Sequence, residues 1–162
     1  MDRAEKLVLI AENAQRVFDA GLEKGKSEGG FPVVEYFGKT VEELDLKGVT
    51  TLAISAVNAQ PLLTKLDIPD VKIISSSAIS ACTKLPHLTF PKSLKRIDSS
   101  GITMCTGLTT VTFEGTPESI ATNAFVSCFS LKTVNVPWAM GAVANAPWGI
   151  TSAMINYNYK GD

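Results

Sequence analysis

A chain of 162 residues with 45% hydrophobic and 19% charged residues is long and apolar enough for one domain with a buried core, which excludes a disordered tract. A formal net charge of -1 excludes the strong field that carries most nucleic-acid binders onto their targets. The tightest basic cluster, Lys92 with Lys95 and Arg96, reads as a solvated edge rather than a phosphate site, so no nucleic-acid partner is expected.

The chain opens on charges of mixed sign, and its first apolar run, Leu7 to Ala11, is too short for a secretory core or a membrane span. Neither an export leader nor a membrane span is therefore expected. From Asp2 to about Lys26 the pattern is helical. Leu7, Ile10, Ala14, Val17 and Gly21 alternate spacings of three and four, and Gly25 with Gly29-Gly30 ends the helix. The stripe supports two readings. One is a helix that covers the open end of the fold behind it. The other is a short parallel coiled coil that makes a homotrimer, with Leu7, Ile10, Ala14 and Val17 as its oligomerisation residues. Ala14 and Gly21 would make so short a seam weak by itself. Residues 26–30 read as a link and Phe31 to Phe37 as an aromatic-rich lid. The expected domains are thus 1–30, helix and linker, and 31–162, the main fold with its C-terminal cap.

Beyond that lid the chain repeats itself. Cys82, Cys105 and Cys128 recur every 23 residues, with Ile79, Ile102 and Phe125 three before each and Leu85, Leu108 and Leu131 three after. Leu88, Val111 and Val134 follow in step, then Phe90, Phe113 and Val136. A step of 22 extends the register backwards through Leu63, Leu66 and Ile68 to Val41, Leu44 and Leu46, and Leu52 and Ile74 fall in line with Ile97 and Ile120. This strict recurrence predicts a β-rich leucine-rich-repeat solenoid of about five coils of 22–23 residues between Val41 and Pro137. One coil buries too little to fold alone, so stacking supplies the remaining stability and both ends need covers.

Ile155 and Tyr157 stand 21 residues after Val134 and Val136 and predict a terminal strand. Between them, Trp138, Met140, Trp148 and Ile150 lie in a Gly-, Ala- and Pro-rich stretch. It is expected to close the core as an irregular cap, an exposed aromatic patch for a partner being the alternative.

Side chains alternate across a strand, so the outward positions of successive coils form columns. One column is Glu43, Lys65, His87, Thr110 and Thr133; the other is Asp45, Asp67, Thr89, Thr112, Asn135 and Asn156. The plain reading is a solvated face. The functional one is a carbohydrate or protein ligand laid across Lys65, His87, Thr89, Thr110, Thr112, Thr133 and Asn135.

Chemistry finds little support. The three cysteines lie in one line instead of converging as zinc ligands do, and they read as free buried thiols packed as small apolar groups. His87, the single histidine, has Lys65 and Thr110 as column neighbours, which is no nucleophile with an orienting acid. No phosphate loop or metal-protease motif is present. Neither catalysis, metal nor cofactor is expected.

The units Ile102-Thr-Met-Cys105-Thr-Gly-Leu108-Thr-Thr-Val111-Thr-Phe113 and Phe125-Val-Ser-Cys128-Phe-Ser-Leu131-Lys-Thr-Val134-Asn-Val136-Pro137 resemble BspA-type leucine-rich repeats. The resemblance covers roughly residues 41–137 and implies an interaction surface. Earlier units depart from it, with Gln60 at the cysteine position and Lys47 at the proline position. The flanks, Ile10 to Asn13 with Val17, Ala20-Gly21 and Lys24, and Val136-Pro-Trp138 with Ala146 to Gly149 and Ile155-Asn-Tyr157, resemble structural proteins of phages and prophages of Firmicutes. That resemblance implies a virion decoration or fibre protein whose partners are other virion proteins, or a host surface protein or glycan. A bacterial cell-surface adhesin is the alternative.

Overall fold

The computed structural model describes residues 42–161. The helix expected over 2–26, its Leu7, Ile10, Ala14 and Val17 seam, and the lid over 31–37 lie outside the described residues.

Within them the chain winds into a parallel solenoid of very short strands. The first coil carries β1 (Glu43–Asp45), β2 (Thr51–Leu52) and β3 (Val57–Asn58), and the second β4 (Lys65–Asp67), β5 (Ile73–Ile74) and β6 (Ile79–Ser80). The third carries β7 (His87–Phe90), β8 (Arg96–Ile97) and β9 (Ile102–Thr103), and the fourth β10 (Thr110–Phe113), β11 (Ser119–Ile120) and β12 (Phe125–Val126). The fifth begins with β13 (Thr133–Asn135) and passes into irregular chain before β14 (Met154–Asn156). Stacking produces three walls. In two of them the order is β2-β5-β8-β11 and β3-β6-β9-β12; the third is divided into β1-β4 and β7-β10-β13-β14.

The registers are those the repeat predicts. Leu52, Ile74, Ile97 and Ile120 stack in one wall, and Val57, Ile79, Ile102 and Phe125 in another. Ile155 lies beside Val134, so the terminal strand is present. The complete coils have three strands each. Each two-residue strand is too short to show an alternating pattern, and only comparison between coils exposes it.

Three tight turns per coil make the triangular section. In the third coil Leu85, Leu94 and Gly101 donate their N–H groups back to the carbonyls of Cys82, Pro91 and Asp98. Corners also use left-handed backbone: Ser55, Ser77 and Ser100 in one line and Ala59, Ala81, Met104 and Ser127 in another have φ between 51° and 58°. That region costs an L-residue about 1–2 kcal/mol, and small side chains occupy most of these positions.

The core is a continuous file of inward side chains from Leu44 to Ile150. Aromatic rings take over towards the C-terminal end. Ring centroids lie 4.7 Å apart for Phe90 and Phe113 and 5.1 Å for Phe113 and Trp138. Trp148, fully buried, completes this cluster 6.1 Å from Trp138. The irregular segment imitates a further coil. Its Trp148 carbonyl accepts from the Phe125 N–H at 3.0 Å, as the Ala124 carbonyl accepts from Ile102, and Asn145 Nδ2 donates to the Ile120 carbonyl. Gly149, at φ +88, presses so close to the Phe125 carbonyl that a Cβ there would overlap it. Trp138, Trp148 and Ile150 therefore close the core, as expected, while Met140 is exposed.

Candidate interaction surface

The outward columns form as read from the sequence. Thr110 is registered with His87 on one side and Thr133 on the other, and Thr112 with Thr89 and Asn135. Lys65 and Asp67 sit in β4 beside Glu43 and Asp45. Between β4 and β7 the column continues without ladder hydrogen bonds, because the two neighbouring strands belong to different sheets.

The polar groups of this wall fall into two kinds. Asn156 Nδ2 donates to Asn135 Oδ1 at 2.9 Å, and Asn135 Nδ2 donates to Thr112 Oγ1 at 3.2 Å. With 8% exposure, Asn135 is an internal tie between coils and offers a ligand little. Lys65, His87 and Thr89 are exposed. Lys65 Nζ pairs with Asp67 Oδ2 at 3.0 Å, and the hydrogen bond from that carboxylate, followed by its charge, holds the ammonium above its usual range. Lys95 pairs with Glu118 and Arg96 with Asp98, so the basic cluster is largely neutralised on the surface.

A trough runs along the solenoid axis beside the second column. Its first part, about 540 Å³, is lined by Asp45, Lys65, Asp67, His87, Thr89 and Glu114 among others. Its second, about 1120 Å³, continues past Thr112 and Pro137 to Tyr159 and Lys160. The two parts share Pro69, Thr89, Pro91 and Glu114. Tyr159 reaches this position because its N–H donates to the Val136 carbonyl, which lays the C-terminal tail against the last coil. The column and the repeat proline position are legible in the sequence; that the prolines and Tyr159 line the same trough is not. Pro69, Pro91 and Pro137 do stand in one repeat position and were a usable signal; the tail has no repeat to mark it.

The backbone ladder beneath the trough is interrupted between the neighbouring strands β4 and β7. In the second, fourth and fifth coils the residue before the strand of this divided wall donates its N–H backwards. Thr64 bonds the Glu42 carbonyl, Thr109 that of Pro86 and Lys132 that of Thr109. The same position in the third coil is Pro86, which has no N–H to give.

Cys82 and Cys105 lie buried as expected, whereas Cys128 in the last complete coil is only half-buried. Cys82 Sγ is 3.5 Å from the Ser80 carbonyl, and Cys105 Sγ is 3.5 Å from that of Thr103. All three cysteines are free. The Cys82 thiol and burial hold Cys105 above the usual thiol range, and burial chiefly pushes Cys128 up to about 12. These are packing groups. Gln60 takes the cysteine position in the first coil, buried, with Nε2 bonded to the Asn58 carbonyl. Among the described residues no group of three or more His, Cys, Asp or Glu is placed to hold a metal ion, and no helix is long and apolar enough to cross a membrane.

Parallel coils, a polar outer wall and a recurring Leu–Cys core define a leucine-rich-repeat solenoid. The description "BspA type Leucine rich repeat region" matches residues 46–145 in six copies, and the chain belongs to that family. The matched range starts within the first described coil and ends in the cap, at Asn145, which carries the repeat past the Pro137 limit read from the sequence. Neither the curated proteins nor the solved structures contain a match.

Proposed function

We propose that this chain is a non-enzymatic interaction module that presents its trough and outward columns to a partner. The observation that carries the reading is the trough itself. It is the extended surface of a family built from repeats, walled by mixed polar groups. A trough about four to five strand spacings long, roughly 20 Å, suits an elongated ligand better than a small metabolite.

The setting we favour is a phage virion, with the chain as a decoration or fibre protein whose solenoid faces outward for attachment or assembly. The flanking segments that resemble phage structural proteins support it. The N-terminal seam would then anchor or trimerise the chain, with other virion proteins or a host surface protein or glycan as partners. A bacterial cell-surface adhesin is the second reading, and the family match supports it equally. Antibody labelling of purified virions and of intact bacteria separates the two settings: label on particles supports the first, label on cells alone sinks it. Light scattering on the full chain and on a chain starting at Phe31 tests the assembly. A trimer that becomes a monomer supports the seam; a monomer in both cases removes it.

A further inference from the structure

We propose that the split between β4 and β7 is a subsite for the hydroxyls of a neutral glycan, whose chain continues along the trough towards Tyr159. The inference rests on the reading of the solenoid as an interaction module and names its ligand class.

The cause of the split is local. Prolines at the C-terminal side of the strand do not unlace this wall: Pro69 follows β4, which pairs with β1, and Pro137 follows β13, which pairs with β10. The third coil alone has a proline on each side, Pro86 and Pro91, so the pairing of β7 with β4 loses the N–H donors at both of its ends. Carried over from the neighbouring coils, the register aims the N–H groups of Leu66 and Ile68 and the carbonyls of Thr64 and Leu66 at the third coil. It likewise aims the N–H and carbonyl groups of His87 and Thr89 at the second. None of these joins a ladder across the split. All of those residues line the first part of the trough. Backbone groups left without ladder partners demand others.

The other walls restrict what can supply them. β5 pairs with β8 and β6 with β9, so the second and third coils are held at one strand spacing on both remaining sides. A peptide cannot enter as an extra strand without breaking those pairs. The occupant must bring small groups that both donate and accept, which is the property of a hydroxyl. The side chains around the slot agree. Asp45, Asp67 and Glu114 accept, while Lys65 and His87 offer donors. Three carboxylates against Lys47 and Lys65 leave the slot mixed in charge, which selects for neither a phosphate nor a polyanionic chain and suits a neutral ligand. Beyond the slot the Thr89 and Thr112 hydroxyls continue the polar track, and the half-buried Tyr159 ring offers a flat face for a sugar at the far end.

The test begins with the full chain on an array of neutral oligosaccharides, followed by calorimetry with cellohexaose, xylohexaose, maltohexaose and tetra-N-acetylchitotetraose. Wild type is compared with Pro86→Thr, which gives the third coil the donor that Thr64 and Thr109 supply in theirs. Wild type should retain a neutral oligosaccharide, and that ligand should shift the amide resonances of Leu66, Ile68, His87 and Thr89. Pro86→Thr should weaken binding at least about tenfold without lowering the melting temperature, and Tyr159→Ala should weaken it while the fold persists. Retention of no neutral glycan, or binding indifferent to Pro86→Thr, overturns the inference. A selection from displayed random peptides runs in parallel. A peptide lost on Thr89→Lys or Thr112→Lys replaces the glycan as occupant and leaves the interaction reading standing. Binding of neither removes both.

Discussion

Two walls of this solenoid run unbroken through four coils, while the third is interrupted between its second and third strands. All three are built from the same repeat, with the same inward Leu, Ile, Val and Phe packing. The contrast teaches that the coils are held together redundantly. Inward side chains and two laced walls keep the stack in register, so the third can be unlaced where Pro86 and Pro91 flank its strand without unstacking the protein. The interrupted wall is also the one that carries the trough. A surface in which every backbone group is already paired offers a ligand only its side chains, and the split adds main-chain donors and acceptors to them.

The comparison can be broken most severely from the core that both kinds of wall share. Trp148→Ala removes a fully buried ring from the cluster with Phe113 and Trp138, and with it the packing that holds the imitation coil. It should cost about 3–5 kcal/mol in denaturant unfolding. A loss below 1 kcal/mol would mean that the cap does not seal the core. Thr109→Pro copies the third-coil proline into the fourth and removes the 2.9 Å bond to the Pro86 carbonyl. A second split should follow, with a loss of about 1–3 kcal/mol and faster amide exchange at Thr110 and Thr112. Unchanged exchange would show that the proline position does not govern lacing.

The thiol file tests whether the interior is as dry as the stacking implies. Cys128 has its folded pKa raised from an ordinary 9.0 to about 12, so its neutral form is favoured by folding. Its contribution is complete below pH 9, and is lost as pH rises through about 12. Discounted for partial exposure, the loss should be about 1–2 kcal/mol, and Cys128→Ala should flatten the alkaline limb of the stability profile. An unchanged limb would assign the alkaline loss to other groups.

Pro86→Thr should act in the opposite sense to Thr109→Pro, adding about 1 kcal/mol and slowing exchange at Leu66 and Thr89. A destabilised variant would show that the split is set by packing and not by the missing donor. The smallest effect belongs to the exposed Lys95–Glu118 pair, 2.6 Å long. Lys95→Ala should cost about 0.2–1 kcal/mol, and added salt should erase the difference between variant and wild type.

Much of this was legible beforehand, for a reason particular to repeats. A closed globular core gives each position its own surroundings, whereas stacked coils give every position of a column the same ones. Similar residues therefore reappear at Cys82, Cys105 and Cys128, and at Leu88, Val111 and Val134. The columns of the outer face followed from the same register, and the structure keeps them. What the columns could not disclose is which members are already committed. Asn135 and Asn156 look like Thr89 in a list of polar outward positions, yet their amides bond to one another and to Thr112.

By itself, then, the sequence determined the coil length, the inward file and the place of the terminal strand, because those depend on residue type repeated at a fixed interval. Only the tertiary structure decided that one wall is divided between β4 and β7, that Trp148 and Gly149 imitate a coil without sharing its sequence, and that Tyr159 rims the trough. Each of these depends on what one chain segment finds beside it in space. Hydrogen-bond pairing and close packing settle that between coils, where no sequence interval records it.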